Sequence, residues 1–248
     1  MCMIRFISNS IVFFICLCTQ ANAQIKQPKF EAGAAVGAFV YQGDLTPNRF
    51  GSWKTIRPGL VLHGSRLLNG TMALRLQLSI ASLHGDDAKY NNPPYRQQRN
   101  FNFRTSLIEL SPQFVWSPLG WVDAGKQMSP YVFGGAALSL VRIRRDASAF
   151  NAAYFEAEPE LVTQLATDLS KRTPRLMPAV PVGAGIRYSL SPTIVLNAEA
   201  SYRFLLTDYL DGFSRAANPD RKDHYYNIVV GLIYRFGRKN SWDCPPMR

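Results

Sequence analysis

Carboxylates close to histidines are the residues of this chain whose types and spacing could do chemistry. His84-Gly85-Asp86-Asp87, Asp208-Tyr209-Leu210-Asp211-Gly212 and Asp223-His224 each gather acid or base groups in a short polar segment, and Asp44 lies in a fourth. A histidine with neighbouring carboxylates can act as the general base of a surface hydrolase or acyltransferase. Asp86, Asp208 and Asp211 would suit a hard cation if their loops converged, since such ions prefer oxygen ligands. Hydrogen bonds from these aspartates to turn amides are the plainer reading. Glu109 and Glu199 could form a catalytic carboxylate pair, or a structural one neutralised by Arg75 and Arg203. No Gly-x-Ser-x-Gly, His-Glu-x-x-His or phosphate-cradling glycine loop accompanies any of these groups. The expectation is a non-enzyme, with no catalytic residue, cofactor or bound metal.

The elements that must position these residues read as strands. In the last, Tyr226, Ile228, Val230, Leu232, Tyr234 and Phe236 share one face, with Asn227, Val229, Gly231, Ile233 and Arg235 opposite. A period of two is the signature of a strand, whose side chains alternate across the sheet. The pattern predicts eight strands: Phe30–Tyr41, Thr55–Arg66, Met72–Leu83, Asn102–Trp116, Pro130–Arg142, Met177–Tyr188, Ile194–Leu206 and His224–Phe236. Each is near the ~9–11 residues that a tilted strand needs to cross a bilayer. Pro58, Pro112 and Pro181 fall inside them and predict bulges or strand ends, because proline lacks the ladder donor.

The links alternate between long and short. Links of about 42–54, 84–101, 143–176 and 207–223 are long and polar, whereas 67–71 and 189–193 are tight turns containing Asn69-Gly70 and Ser191-Pro192. Link 117–129 is of intermediate length. Long outer loops and short periplasmic turns are the asymmetry of an outer-membrane barrel. The fold expected is therefore an all-β, eight-stranded antiparallel up-and-down transmembrane barrel. A short helix is predicted from Pro159 to Ser170 in the third outer loop, with leucines at 161, 165 and 169 and a first-turn proline.

The chain ends and composition agree with export. Arg5, the apolar run Ile11 to Cys18 and Ala21-Asn22-Ala23 read as a signal peptide over 1–23, leaving 24–248 as a barrel with a short periplasmic C-terminal tail. The mature chain would keep Cys244 as its sole cysteine, so the fold must hold without an intramolecular disulfide. The formal charge is +11 for the whole chain. Its basic residues cluster in the proposed outer loops, at Arg96, Arg99 and Arg104, at Arg142, Arg144 and Arg145, at Lys171, Arg172 and Arg175, and at Arg215, Arg221 and Lys222. Nucleic acid is not an expected partner of an exported chain. Outer-membrane lipid is, and anionic glycolipid suits a positive outer surface.

An eight-stranded barrel has an interior that side chains can fill. Arg75, Glu109, Glu199 and Arg203 are expected to form one polar network there. An outward belt is expected of Leu74, Leu76, Leu78, Leu196, Tyr202, Phe204, Ile228, Val230, Leu232 and Tyr234. At the periplasmic end, Trp121, Trp242 and the Arg238-Lys239 pair offer aromatic and charged anchors for a partner.

Several phrases carry a family resemblance: Tyr41-Gln42-Gly43-Asp44-Leu45, Arg57-Pro58, Gly85-Asp86-Asp87, Asn100-Phe101-Asn102-Phe103-Arg104 with Ile108-Glu109-Leu110-Ser111, and Tyr202-Arg203 with Thr207-Asp208-Tyr209-Leu210-Asp211. Together they resemble small outer-membrane barrels of Bacteroidetes, a family that includes the barrel component of the type IX secretion and gliding apparatus. The resemblance implies a non-catalytic structural or anchoring barrel that associates with periplasmic ring lipoproteins. Loop 143–176 and the tail Gly237–Arg248 depart from the pattern. A surface lipid-modifying enzyme or protease, and a passive adhesion or envelope-stabilising barrel, remain the alternative functions.

Overall fold

The computed structural model describes residues 29–48, 50–121, 127–207, 209–213, 215–217 and 223–236. The proposed signal peptide, Asp208, and the tail with Arg238, Lys239 and Trp242 lie outside them. The strands are β1 (Phe30–Gln42), β2 (Arg57–Leu67), β3 (Met72–Asp86), β4 (Asn102–Trp116), β5 (Met128–Gly135), β6 (Ala137–Asp146), β7 (Leu176–Ser189), β8 (Ile194–Leu205) and β9 (His224–Phe236). Every pairing is antiparallel, and β1 pairs with β2 on one edge and β9 on the other, so the sheet closes. The all-β antiparallel barrel expected from the sequence is the fold observed. Among the described residues no helix is long and apolar enough to cross a membrane.

The single strand expected over Pro130–Arg142 is corrected to two segments, β5 and β6, interrupted at Ala136. The register does not slip across the break: Gly135 pairs with Gln113 before it and Leu138 with Leu110 after it. The interruption is chemical. Continuing the register sets Pro112 opposite Ala136 on one side and Pro181 opposite Gly135 on the other, and neither proline can donate to the ladder. Ala136 still donates to the Pro112 carbonyl at 3.2 Å. In the other direction the Ser111 hydroxyl donates to the Ala136 carbonyl at 2.9 Å, replacing the amide that Pro112 lacks. Thus β5 and β6 are two halves of one stave, and the barrel has eight staves. No bulge is needed.

Strand two starts at Arg57 rather than Thr55, because Trp53–Thr55 forms a 3-10 turn capped by the Ser52 side chain. A short helix, α1 (Tyr95–Arg99), has too few residues to announce itself by periodicity. Helix α2, Pro159–Ser170, stands where the leucine spacing places it, with its proline in the first turn.

Burial follows the alternation. Leu74, Leu76, Leu196, Phe204, Ile228, Val230, Leu232 and Tyr234 are exposed on the outer wall, and Leu78 and Tyr202 face the same way half-buried. The outward polarity changes abruptly between two adjacent rungs. Ile80, Ile108, Leu140 and Leu176 form one continuous cross-strand rung, and all four are exposed, Leu140 to 56%. The next rung is Ser82–Ser106–Arg142, and the one above it His84–Arg104–Arg144. Strands β3 and β4, at 15 residues each, therefore rise past the apolar belt and build a wall on the long-loop side.

Candidate functional site

Inward side chains divide the barrel into a charged stem and an apolar mouth. In the stem, Arg75 Nη1 lies 2.6 Å from Glu199 Oε1, and its Nε donates to Gln113 at 2.8 Å. Tyr131 donates to the same Glu199 oxygen at 2.5 Å, and Asn197 does so at 3.1 Å. Higher up, Arg203 Nη2 lies 3.3 Å from Glu109 Oε1. Tyr225 donates to the other Glu109 oxygen, and Ser139 to it at 3.3 Å. Near the short turns, Glu31 receives Arg187 at 3.0 Å and Arg235 at 3.1 Å.

The single network expected from Arg75, Glu109, Glu199 and Arg203 is corrected to separate clusters. Arg75 binds Glu199 and Arg203 binds Glu109, with no ion pair joining the two sets among the described residues. The third cluster, centred on Glu31, escaped the sequence reading. Its signal was present: Glu31 is out of phase with outward Phe30, but Ala32, Gly33, Ala34 and Ala35 blur the alternation that follows. Space for the large stem side chains comes from facing glycines. A Cβ at Gly185 would sit 2.6 Å from the Tyr131 ring, and one at Gly183 2.5 Å from Phe133. His63 and Gln77 are buried nearby, and both His63 ring nitrogens and the Gln77 oxygen lack a protein partner among the described residues. Each stem carboxylate is matched by guanidinium groups, so Glu109 and Glu199 form no free acid–base pair.

The mouth is filled instead by apolar side chains. Phe39, Tyr41, Leu83, Phe103, Leu107, Met177 and Leu205 from the strands pack with Leu45, Phe101, Leu165, Leu210, Phe213 and Ala216 from the outer loops. Phe101 stacks on Phe213 with ring centroids 4.4 Å apart. Buried carboxylates fasten this cap. Asp87 accepts Arg96 at 2.8 Å and Arg99 at 2.7 Å, an i, i+3 pair on one side of α1. Arg96 also donates to the Asp44 carbonyl at 3.1 Å. Tyr41 donates to Asp223 at 2.6 Å and to Asp211 at 3.1 Å, while Asp211 accepts the Phe213 amide at 2.8 Å. Burial pushes the Asp211 carboxyl up to about 6. In this way the quoted phrases around Tyr41, Asp44, Asp87 and Asp211, distant in sequence, meet in one capping assembly.

The outer-loop residues proposed for chemistry have mostly structural partners. Asp86 accepts the Ala88 amide at 3.0 Å and lies 3.9 Å from His84 Nε2. The opposite nitrogen of His84 is 2.8 Å from the Phe103 carbonyl. Asp86 and Asp211 therefore serve different local contacts, and no cluster of three His, Cys, Asp or Glu able to hold a metal occurs among the described residues.

At the short-turn end, Trp121 is corrected from an exposed anchor to a buried plug, only 5% exposed. Its indole N–H donates to the Asn69 carbonyl at 2.8 Å, and the Arg187 guanidinium lies 4.5 Å from the ring. An amphipathic ring with a satisfied N–H and a cation on its face is held inward.

The barrel is similar to several solved structures. OprG from Pseudomonas aeruginosa is 10% identical with a TM-score of 0.48, covering 86% of this chain and 98% of that one. A major outer membrane protein from Thermus thermophilus is 12% identical with a TM-score of 0.45, over 84% and 99%. Ail, the attachment invasion locus protein of Yersinia pestis, is 11% identical with a TM-score of 0.42, over 84% and 99%. No curated protein matches in sequence. The chain belongs to the family described as domain of unknown function (DUF6089), whose profile matches residues 6–244 and so takes in both stem and cap.

Proposed function

We propose that this chain is a non-enzymatic outer-membrane barrel, exported by residues 1–23, that serves as a structural anchor of the type IX secretion apparatus. The observation that carries the membrane reading is the outer wall: exposed aliphatic rungs end sharply at Ser82, Ser106 and Arg142. Such a wall would be a large apolar patch in water, whereas in a bilayer it meets acyl chains. The paired charges in the stem favour a plugged barrel over a diffusion channel. The secretion role rests on the phrase resemblance.

Membrane fractionation and heat-modifiable gel migration test the location. Cross-linking from exposed short-turn residues, such as Leu119 and Leu190, tests the ring lipoproteins as partners. A deletion strain that exports its cargo normally would remove the secretion role. If loop trimming abolishes surface attachment while export persists, the passive adhesion reading takes its place. The His84–Asp86 approach favours a second reading, a surface hydrolase. Loss of a lipid- or peptide-cleaving activity on His84→Ala, with the barrel intact, would establish it.

A further inference from the structure

The outer rim holds a second feature that the anchoring role does not use. Strand β6 pairs with β7 only from Ala137–Ala179 to Leu140–Leu176. The last tie on that edge is the Val141 amide to the Arg175 carbonyl, at 2.8 Å. Above it the strand continues to Asp146 along β4 alone, while the segment before β7 swings away. The gap is bridged again at its top. Arg145 reaches across to donate to the Lys171 carbonyl at 2.8 Å, the Leu169 carbonyl at 3.1 Å and the Gly212 carbonyl at 2.9 Å. Between these two ties is a cleft of about 610 Å³, bordered by Arg142, Arg144, Lys171, Arg172 and Arg175.

Among the described residues no ion pair compensates its charge. Arg142, Arg144, Arg172 and Arg175 make no ion pair or side-chain hydrogen bond among the described residues. Arg144 also lies directly across from Arg104 in the register, and like charges at such positions destabilise a sheet. Strand alternation points the Ile143 and Arg145 amides toward the same open edge as the Val141 amide. Guanidinium forks together with free amides are a phosphate-binding donor set. The depth selects the source of the phosphate. Arg142 follows Leu140 by two residues, about 7 Å along a strand, and Leu140 with Leu176 is the last apolar rung.

We propose that this cleft binds the phosphorylated headgroup of an outer-leaflet glycolipid, whose acyl chains lie on Leu138, Leu140 and Leu176. The site rests on the membrane reading given above. The test uses the full-length barrel inserted in phosphatidylcholine vesicles with or without a bisphosphorylated glycolipid; heat-modifiable migration reports insertion independently of binding. Glycolipid retained on the purified barrel should fall roughly tenfold in Arg142→Ala/Arg144→Ala and, on the facing wall, in Arg172→Ala/Arg175→Ala. Arg66→Ala, at the opposite end of the outer wall, should leave it unchanged. The dephosphorylated glycolipid should bind all forms equally weakly. Unchanged retention in both double variants overturns the proposal. So does inorganic phosphate or a sulfated polysaccharide that displaces the lipid at equal concentration, because the site would then be selective for a soluble anion. Failure to insert would instead overturn the membrane reading itself.

Discussion

The two ends of the barrel interior are filled by different means. The stem is filled mainly from the strands: Glu31, Arg75, Glu109, Arg187, Glu199, Arg203 and Arg235 each belong to a stave and pair across the lumen, and Trp121 of the link between β4 and β5 packs under Arg187 at the short-turn end. The mouth is filled jointly, with Leu45, Phe101, Leu165, Leu210 and Phe213 entering from loops. A stem built from strands and a short-turn tryptophan keeps its packing whatever the outer loops do. A cap built from loops exists only while several separate segments agree. The stem is therefore the element that must fold for insertion, and the cap is the element free to vary or open.

The largest effect should come from unbalancing the stem. Glu31→Ala leaves Arg187 and Arg235 buried without their shared carboxylate, and breaking such a pair costs about 3–5 kcal/mol. Urea unfolding in detergent should show this as an early transition of the whole barrel. Replacing loop 207–223 by a short turn should leave that transition nearly in place. If loop removal destabilises the barrel as much as Glu31→Ala, the two regions are not independent.

Next in size is a contrast between the outer and inner walls. Val230→Arg puts a charge on the lipid face, which costs about 2–4 kcal/mol at the bilayer midplane. Asn227→Arg enters a full lumen, because Asn227 is 1% exposed and accepts Arg203 at 2.9 Å. The first should impair folding into vesicles and spare folding into short-chain detergent. The second should impair both. Equal behaviour in the two media would remove the distinction between lipid face and packed interior.

The stem was largely legible in the sequence, because alternation assigns a face to each residue: Arg75, Glu109, Glu199 and Arg203 all lie inward as their phase requires. Which acid meets which base was not, since barrel closure and stagger decide that and neither is written in any one strand. Glu31 was hidden by small residues on both faces of β1. The split at Ala136 was foreshadowed by Pro112 and Pro181, but only the register shows both prolines flanking one point. The cap was least legible. Asp87, Arg96 and Arg99 sit in a segment without periodicity, and Asp211 reaches Tyr41 across 170 positions of chain.

A smaller effect on the barrel as a whole, though not on the cap, is expected from the Asp87 clamp. Asp87→Ala removes the acceptor of both Arg96 and Arg99, and hydrogen bonds to charged groups contribute about 1.5–3 kcal/mol each when buried. The loss should be local. Hydrogen exchange of α1 and the 87–101 loop should accelerate while stem amides keep their protection. Uniform acceleration over the barrel would show that the cap is part of one cooperative unit with the stem.

The smallest expected effect is a pH response confined to the cap. Asp211 is buried against Tyr41, the Phe213 amide and Asp223, with Arg99 and Asp168 also acting on it, and burial raises its carboxyl to about 6. For an acid raised in this way, the folded cap binds more protons than the open loop at pH values between about 4 and 6. Its contribution to cap stability is fully present below the open-loop value and is lost as pH climbs to the folded one. Exchange protection of residues 209–213 should therefore weaken from about pH 4 to about pH 6 and level off above. Tyr41→Phe removes a hydrogen bond that favours the ionised carboxylate, so it should move the midpoint upward. Asp211→Asn should flatten the profile. Stem residues such as Val195 and Ile233 should show no transition in this window, and a parallel loss of their protection would mean that the titration belongs to the whole barrel.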